Sequence, residues 1–140
     1  SDGTMHEELA HSTWRDWYLA RIGVEAVSFT KDFPAVKEYN QFIYQSIQDN
    51  NLSYLIGVLL FLEASIPTEF SFILLKMKEF FTDTDIKREK YLVDHIHHDA
   101  SSHYPDLLHS IPPDVDMGTI QKGIDDIFTI KVHFYESLRT

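Results

Sequence analysis

An all-α fold, an antiparallel bundle of about six helices, is the architecture the sequence predicts, and three observations predict it. Apolar and aromatic residues recur at helical spacing almost throughout, helix breakers are few, and the stretches between them are joined by short turns. With 140 residues, 44% apolar and 14% aromatic, the chain has the size of one compact domain and enough apolar surface for a core. Residues 5–140 are read as that single domain, and Ser1-Asp2-Gly3-Thr4 ahead of Met5 as a cloning remnant foreign to the fold.

The first helix is expected from about Met5 to Val27, where Leu9, Trp14, Tyr18 and Ile22 share helical spacing. Asp32 can cap a second and Pro34 suits its first turn; that helix runs to about Gln48, and Asp49-Asn50-Asn51 turns the chain. A third spans roughly Leu52 to Ser65 and should kink or give way to a new helix at Pro67, which has no amide to continue the ladder. The fourth, about Thr68 to Phe81, carries Phe70, Phe72, Ile73, Leu74, Leu75, Met77, Phe80 and Phe81, more apolar surface than one face holds, so a central position is expected. Thr82-Asp83-Thr84-Asp85 offers capping oxygens for a fifth, from about Asp85 to Ser110, ended by Pro112-Pro113. Asp116 caps a sixth reaching about Leu138, with Ile120, Ile124, Ile127, Phe134 and Leu138 as its buried stripe.

Composition narrows the chemistry. Zero cysteines remove disulfides, thiolate nucleophiles and cysteine-held metal clusters together, so oxygen and nitrogen side chains must do the work. A formal charge of −10, from 22 acids against 12 bases, argues against nucleic acid and anionic membrane surfaces as partners. The best apolar run, Leu52 to Leu62, is interrupted by Ser53 and Gly57 and stops at Glu63, so no membrane span is expected and a soluble, cytoplasmic protein is.

Four of the eight histidines fall between His95 and His103. At about 100° per residue His95, Asp99 and His103 share an arc of roughly 80° with Leu92 and Ile96, whereas His97 and His98 lie well outside it. One inward histidine is ordinarily a satisfied core residue; three ligand-competent groups on one inward face each need a partner, and a cation serves all three at once. Glu63 shares a face with Ile56, Leu59 and Leu60, where an ionised acid without a counter-charge costs several kcal/mol. Two readings of Glu63 stand: a cation ligand, or an ion pair with Arg15 or Arg21 from another helix. Glu8-x-x-His11 has the i, i+3 spacing of di-iron carboxylate bundles, a pattern that also arises by chance on solvated helices, and Glu7 or Glu25 is an alternative to Glu8. Glu8, Glu63 and Asp99 with His11, His95 and His103 make three carboxylates and three imidazoles, a donor set suited to two ferrous ions or to manganese, and less natural for a four-ligand structural zinc.

The segments Phe61-Leu-Glu-Ala-Ser-Ile-Pro-Thr-Glu-Phe70 and Tyr91-Leu-x-x-His95-Ile-x-x-Asp99-x-x-x-His103-x-Pro105 resemble the heme-oxygenase-like di-metal oxidases and oxygenases, a superfamily that also holds thiaminase-like and pyrroloquinoline-quinone-synthase-like proteins. The resemblance is to motifs, not to the whole chain. It implies a heme-oxygenase-like helical fold, two irons bound by Glu63, His95, Asp99 and His103 with Glu8 and His11, and oxidation of a small organic substrate by dioxygen. Two departures stand out. Members run longer and carry another helix at the front, which suggests a homodimer here, and many space the last ligands as His-x-x-x-Asp-x-x-His, one residue tighter than Asp99 to His103, a gap at which this chain has Ser102.

Four other readings compete. Haem binding, with His11 as an axial ligand, would need close-approach glycines, and only Gly57 interrupts the relevant apolar stretch. Thiaminase-like hydrolysis needs the absent cysteine. Metal-free oxidation by histidine acids and bases, in the manner of the quinone synthases, and a non-enzymatic helical dimerisation module remain as alternatives. Trp14, Trp17, Tyr18, Phe61, Tyr91 and Tyr104 are candidates to line a substrate cavity, and His98 or Asp94 to orient a ligand imidazole.

Overall fold

In the computed structural model, Ala20, 34–80 and 90–139 are the described residues; they contain helices and turns and no strand. We label the helices α1 (Pro34–Gln48), α2 (Leu52–Met77), α3 (Lys90–His98), α4 (Tyr104–His109) and α5 (Met117–Ser137). A π-helical turn, Asp99–His103, joins α3 to α4 without a break. The expected first helix, with Glu8 and His11, and the caps at Asp32 and Thr82–Asp85 lie outside the described residues.

The turn after α1 forms where Asp49-Asn50-Asn51 predicts it. Asn50 takes a positive φ of 52°, a conformation asparagine tolerates better than most side chains. Asn51 then accepts the Tyr54 amide at 3.1 Å and starts α2. Asp116 caps α5 as expected, its carboxylate accepting the Thr119 amide at 3.1 Å and the Thr119 hydroxyl. These bonds hold the Asp116 carboxyl below the usual carboxylate range, the Thr119 hydroxyl contributing most. The Asp116 amide in turn donates to Ser53 Oγ at 3.0 Å, tying the start of α5 to the start of α2.

The expected break at Pro67 does not occur: α2 runs unbroken through it for 26 residues. A proline removes one ladder bond, that of the Glu63 carbonyl, and the apolar helix formers on both sides keep the rest. The third and fourth expected helices are therefore one. Merged, they make a helix long and apolar enough to cross a membrane by length and composition, which overturns the expectation that no such stretch exists. Nor does its second half sit centrally, since Phe72, Ile73, Leu75 and Phe80 are exposed.

The chain divides into two compact units, one containing Ile66–His98 and the other Lys31–Ser65 with Asp99–Thr140. In the first, Met77 and Leu92 are buried, flanked by Phe70, Leu74 and Tyr91. In the second, Ile56, Leu60 and Ile120 form the core, closed by Tyr104, Leu107, Ile111, Val115 and Ile124. Two glycines let α2 and α5 touch backbone to backbone here. A Cβ on Gly57 would lie 2.1 Å from the Ile120 carbonyl oxygen, and one on Gly123 2.3 Å from that of Tyr54. Gly57 is thus filled by a neighbouring helix, not held open for a flat ligand.

The α5 stripe is largely as expected, with Ile120 and Ile127 buried and Ile124 and Phe134 half-buried, but Leu138 is exposed. Lys131 occupies a stripe position instead.

Candidate metal centre

Glu63, Asp99 and His103 converge within the second unit. Each offers one donor atom, and these atoms lie within 4.8 Å of one another. His103 Nδ1 is 2.8 Å from Asp99 Oδ1 and 3.6 Å from Glu63 Oε2. The Asp99 side chain is almost wholly buried, at 4% exposure; that of Glu63 is 27% exposed but its Oε2 is shielded from solvent, and His103 presents an open edge at 52%.

Each position has a local cause. Glu63 lies on α2 at the spacing of Ile56 and Leu60, so burying those two carries the carboxylate inward. Asp99 opens the π turn and His103 closes it. In α winding, residues four apart overshoot a full turn by roughly 40°, and in π winding they fall roughly 30° short, so both keep the pair on one face.

Of the other expected ligands, His95 sits in the first unit. Its Nδ1 lies 2.5 Å from the Tyr91 carbonyl oxygen, and its ring packs against Phe70 and Tyr91 at centroid distances of 5.4 and 4.7 Å. A carbonyl can only accept, so Nδ1 donates, the kind of backbone bond that also orients metal-binding histidines. Glu8 and His11, and the alternative Glu63 partners Arg15 and Arg21, lie outside the described residues. His97 and His98 are exposed, as their angular positions predict.

The expected aromatic cavity lining takes other roles: Phe61 meets Phe128 edge-on, Tyr91 packs on Phe70, and Tyr104 closes the core. Trp14, Trp17 and Tyr18 lie outside the described residues. A shallow depression of about 410 Å³ runs along α2, lined by Pro67, Thr68, Ser71, Phe72 and Leu75.

One polar residue was missed from sequence. Lys131 is buried, donates to Ser65 Oγ at 2.8 Å and stands 5.8 Å over the Phe61 ring. Its signal was there to read, four residues after Ile127 and three before Phe134 on the buried stripe of α5. Ser65 and Phe61 are each two residues from Glu63, about 200° away around α2, so Lys131 serves the opposite face from the ligand cluster.

Comparison with family models, curated proteins and solved structures finds no match to this chain.

Proposed function

We propose that Glu63, Asp99 and His103 hold a divalent metal, and that the protein is a non-haem iron, or iron and manganese, oxidase or oxygenase acting on a small organic molecule with dioxygen. The observation that carries this reading is the convergence of two inward carboxylates on one imidazole, with donor atoms within 4.8 Å. Two carboxylates and a neutral imidazole carry a charge of −2 and neutralise one divalent ion, and oxygen-rich sets with one nitrogen favour iron and manganese. Two of the three donor separations suit a shared ion. Cis ligands about 2.1 Å from a metal stand roughly 3 Å apart, bracketed by the 2.8 and 3.6 Å separations seen here.

Bound iron would supply dioxygen activation. The chain's own residues do the rest: the Glu63 and Asp99 carboxylates would face the ion together with His103 Nδ1, the Ile56–Leu60–Ile120 core lies on the buried face of α2 from which Glu63 projects, and the exposed edge of His103 leaves the outer side approachable. Two ions per chain require further donors, for which the sequence offers Glu8, His11 and His95. The resemblance carried by Glu63, His95, Asp99 and His103 supports the oxidase reading, and a homodimer is part of the same proposal.

A second reading is favoured by the 2.8 Å Asp99–His103 contact: an imidazolium clasped by two acids, stapling the π turn to α2 with no metal. Elemental analysis of protein made in iron-supplemented medium, with anaerobic Co(II) titration followed optically, separates the two. Stoichiometric iron or manganese and ligand-field bands that vanish in Asp99→Asn support the metal; protein that retains no metal and shows no Co(II) bands sinks it.

A further inference from the structure

The π turn spans Asp99 to His103, where the ligand spacing is one residue longer than in the proteins the motif resembles, and a proline follows it by two residues. Had α winding continued through this stretch, the nitrogen of residue 105 would face the Ser101 carbonyl. Pro105 has no hydrogen to offer there, and its ring would collide with that oxygen. A π turn closes one residue later and moves the carbonyl away from the ring. Pro105 then sits in the first turn of α4, where a missing amide is tolerated.

The winding matters for the ligands. Between Asp99 and His103, α and π winding differ by roughly 70° of rotation about the helix axis, enough to swing the tip of an imidazole by several ångströms. The observed distances, 2.8 Å to Asp99 and 3.6 Å to Glu63, belong to the π-wound direction.

We infer that Pro105 is a positioning residue: its ring tips the helix at this place into the π turn at Asp99–His103, and that turn sets the direction of His103 toward Asp99 and Glu63 for a shared metal. This rests on the metal reading above. Pro67 supplies the contrast, because α2 stays α-helical across it; a proline in a helix does not by itself dictate π winding. The rival cause is the Asp99–His103 contact pulling the turn open. Removing the ring and removing the contact must therefore be compared.

The test uses the full chain in three forms: wild type, Pro105→Ala and His103→Ala, with Pro105→Ser as a second ring-free variant should the alanine protein not fold. Through-hydrogen-bond N–C′ couplings read which carbonyl the Tyr104 amide meets, Asp99 in a π turn or Ala100 in an α turn. Co(II) titration reads the alignment. The expected result is that Pro105→Ala pairs Tyr104 with Ala100, melts no lower than wild type and binds Co(II) at least tenfold more weakly, while His103→Ala keeps the Asp99 pairing. Retention of the Asp99 pairing in the ring-free variants, or its loss in His103→Ala, overturns the inference, as does undiminished Co(II) binding after the register has changed. Wild type that binds no Co(II) while the register still follows Pro105 overturns the metal reading and the alignment claim, and shows that failure to be distinct from failure of the winding argument.

Discussion

A buried carboxylate costs several kcal/mol unless a cation or hydrogen-bond donor stands beside it, and Glu63 with Asp99 raises that demand twice within one site. If a metal answers it, Glu63→Gln, Asp99→Asn and His103→Ala should each weaken Co(II) binding by roughly tenfold or more in an optical titration, and His97→Ala, on an exposed face, should leave it unchanged. Away from the site, Asp126 accepts from Lys122 at 2.5 Å and from the Tyr54 hydroxyl at 2.7 Å. Lys122 does most to hold the Asp126 carboxyl below its ordinary value, and burial followed by the bond to Asp126 pushes the Tyr54 phenol upward. A carboxyl lowered in the folded state adds stability that is complete above its unfolded value and lost as pH falls through the folded one. Wild type should therefore lose more stability than Lys122→Met as pH falls below about 4 in denaturant titrations, and equal acid sensitivity would show the pair to be ornamental.

At the scale of elements, the α2–α5 crossing depends on two missing side chains. An alanine at Gly57 meets the Ile120 carbonyl, and backbone cannot move aside as a side-chain tip can. Set against the roughly 1 kcal/mol alanine gains in helix propensity, the clash should leave Gly57→Ala destabilised by about 2 kcal/mol, with Gly123→Ala similar. Gly118 is the control. An added Cβ there meets only the Asp116 carboxylate at ordinary contact, 3.7 Å, so Gly118→Ala should raise the melting temperature. The same scale explains the error at Pro67: a breaker in sequence removes one bond, and whether the helix stops depends on what the following turns can still gain. Ser71, whose hydroxyl donates back to the Pro67 carbonyl at 2.7 Å, sits on the continuing ladder.

For the whole molecule, a ligand that binds only the folded chain stabilises it by mass action, about 2.7 kcal/mol at a hundredfold excess over Kd. Because Glu63 comes from a part of the chain distant from the Asp99–His103 pair, Fe(II) or Co(II) should raise the melting temperature of wild type and not of Asp99→Asn, measured under anaerobic conditions. A similar rise in both proteins would place any bound metal elsewhere. The exposed apolar residues of α2 and of the turn after it belong to this scale too. Phe72 and Phe80, 67% and 74% exposed, were expected inside because hydrophobicity alone predicts burial, yet a helix apolar on all sides can bury only the faces that other elements reach.

Periodicity, caps and breakers are local properties, and what they govern was legible in the sequence: the all-helical character, the turn at Asn50, the cap at Asp116, the inward pitch of Glu63 and Asp99, and the outward placement of His97 and His98. Contacts between distant residues were not, because they depend on how elements pack and wind. The meeting of Glu63 with His103, the continuation of α2 through Pro67, the glycine crossing and the π turn that carries His103 were decided by tertiary structure. There a carbonyl oxygen, a proline ring or a neighbouring helix competes for space that no single segment controls.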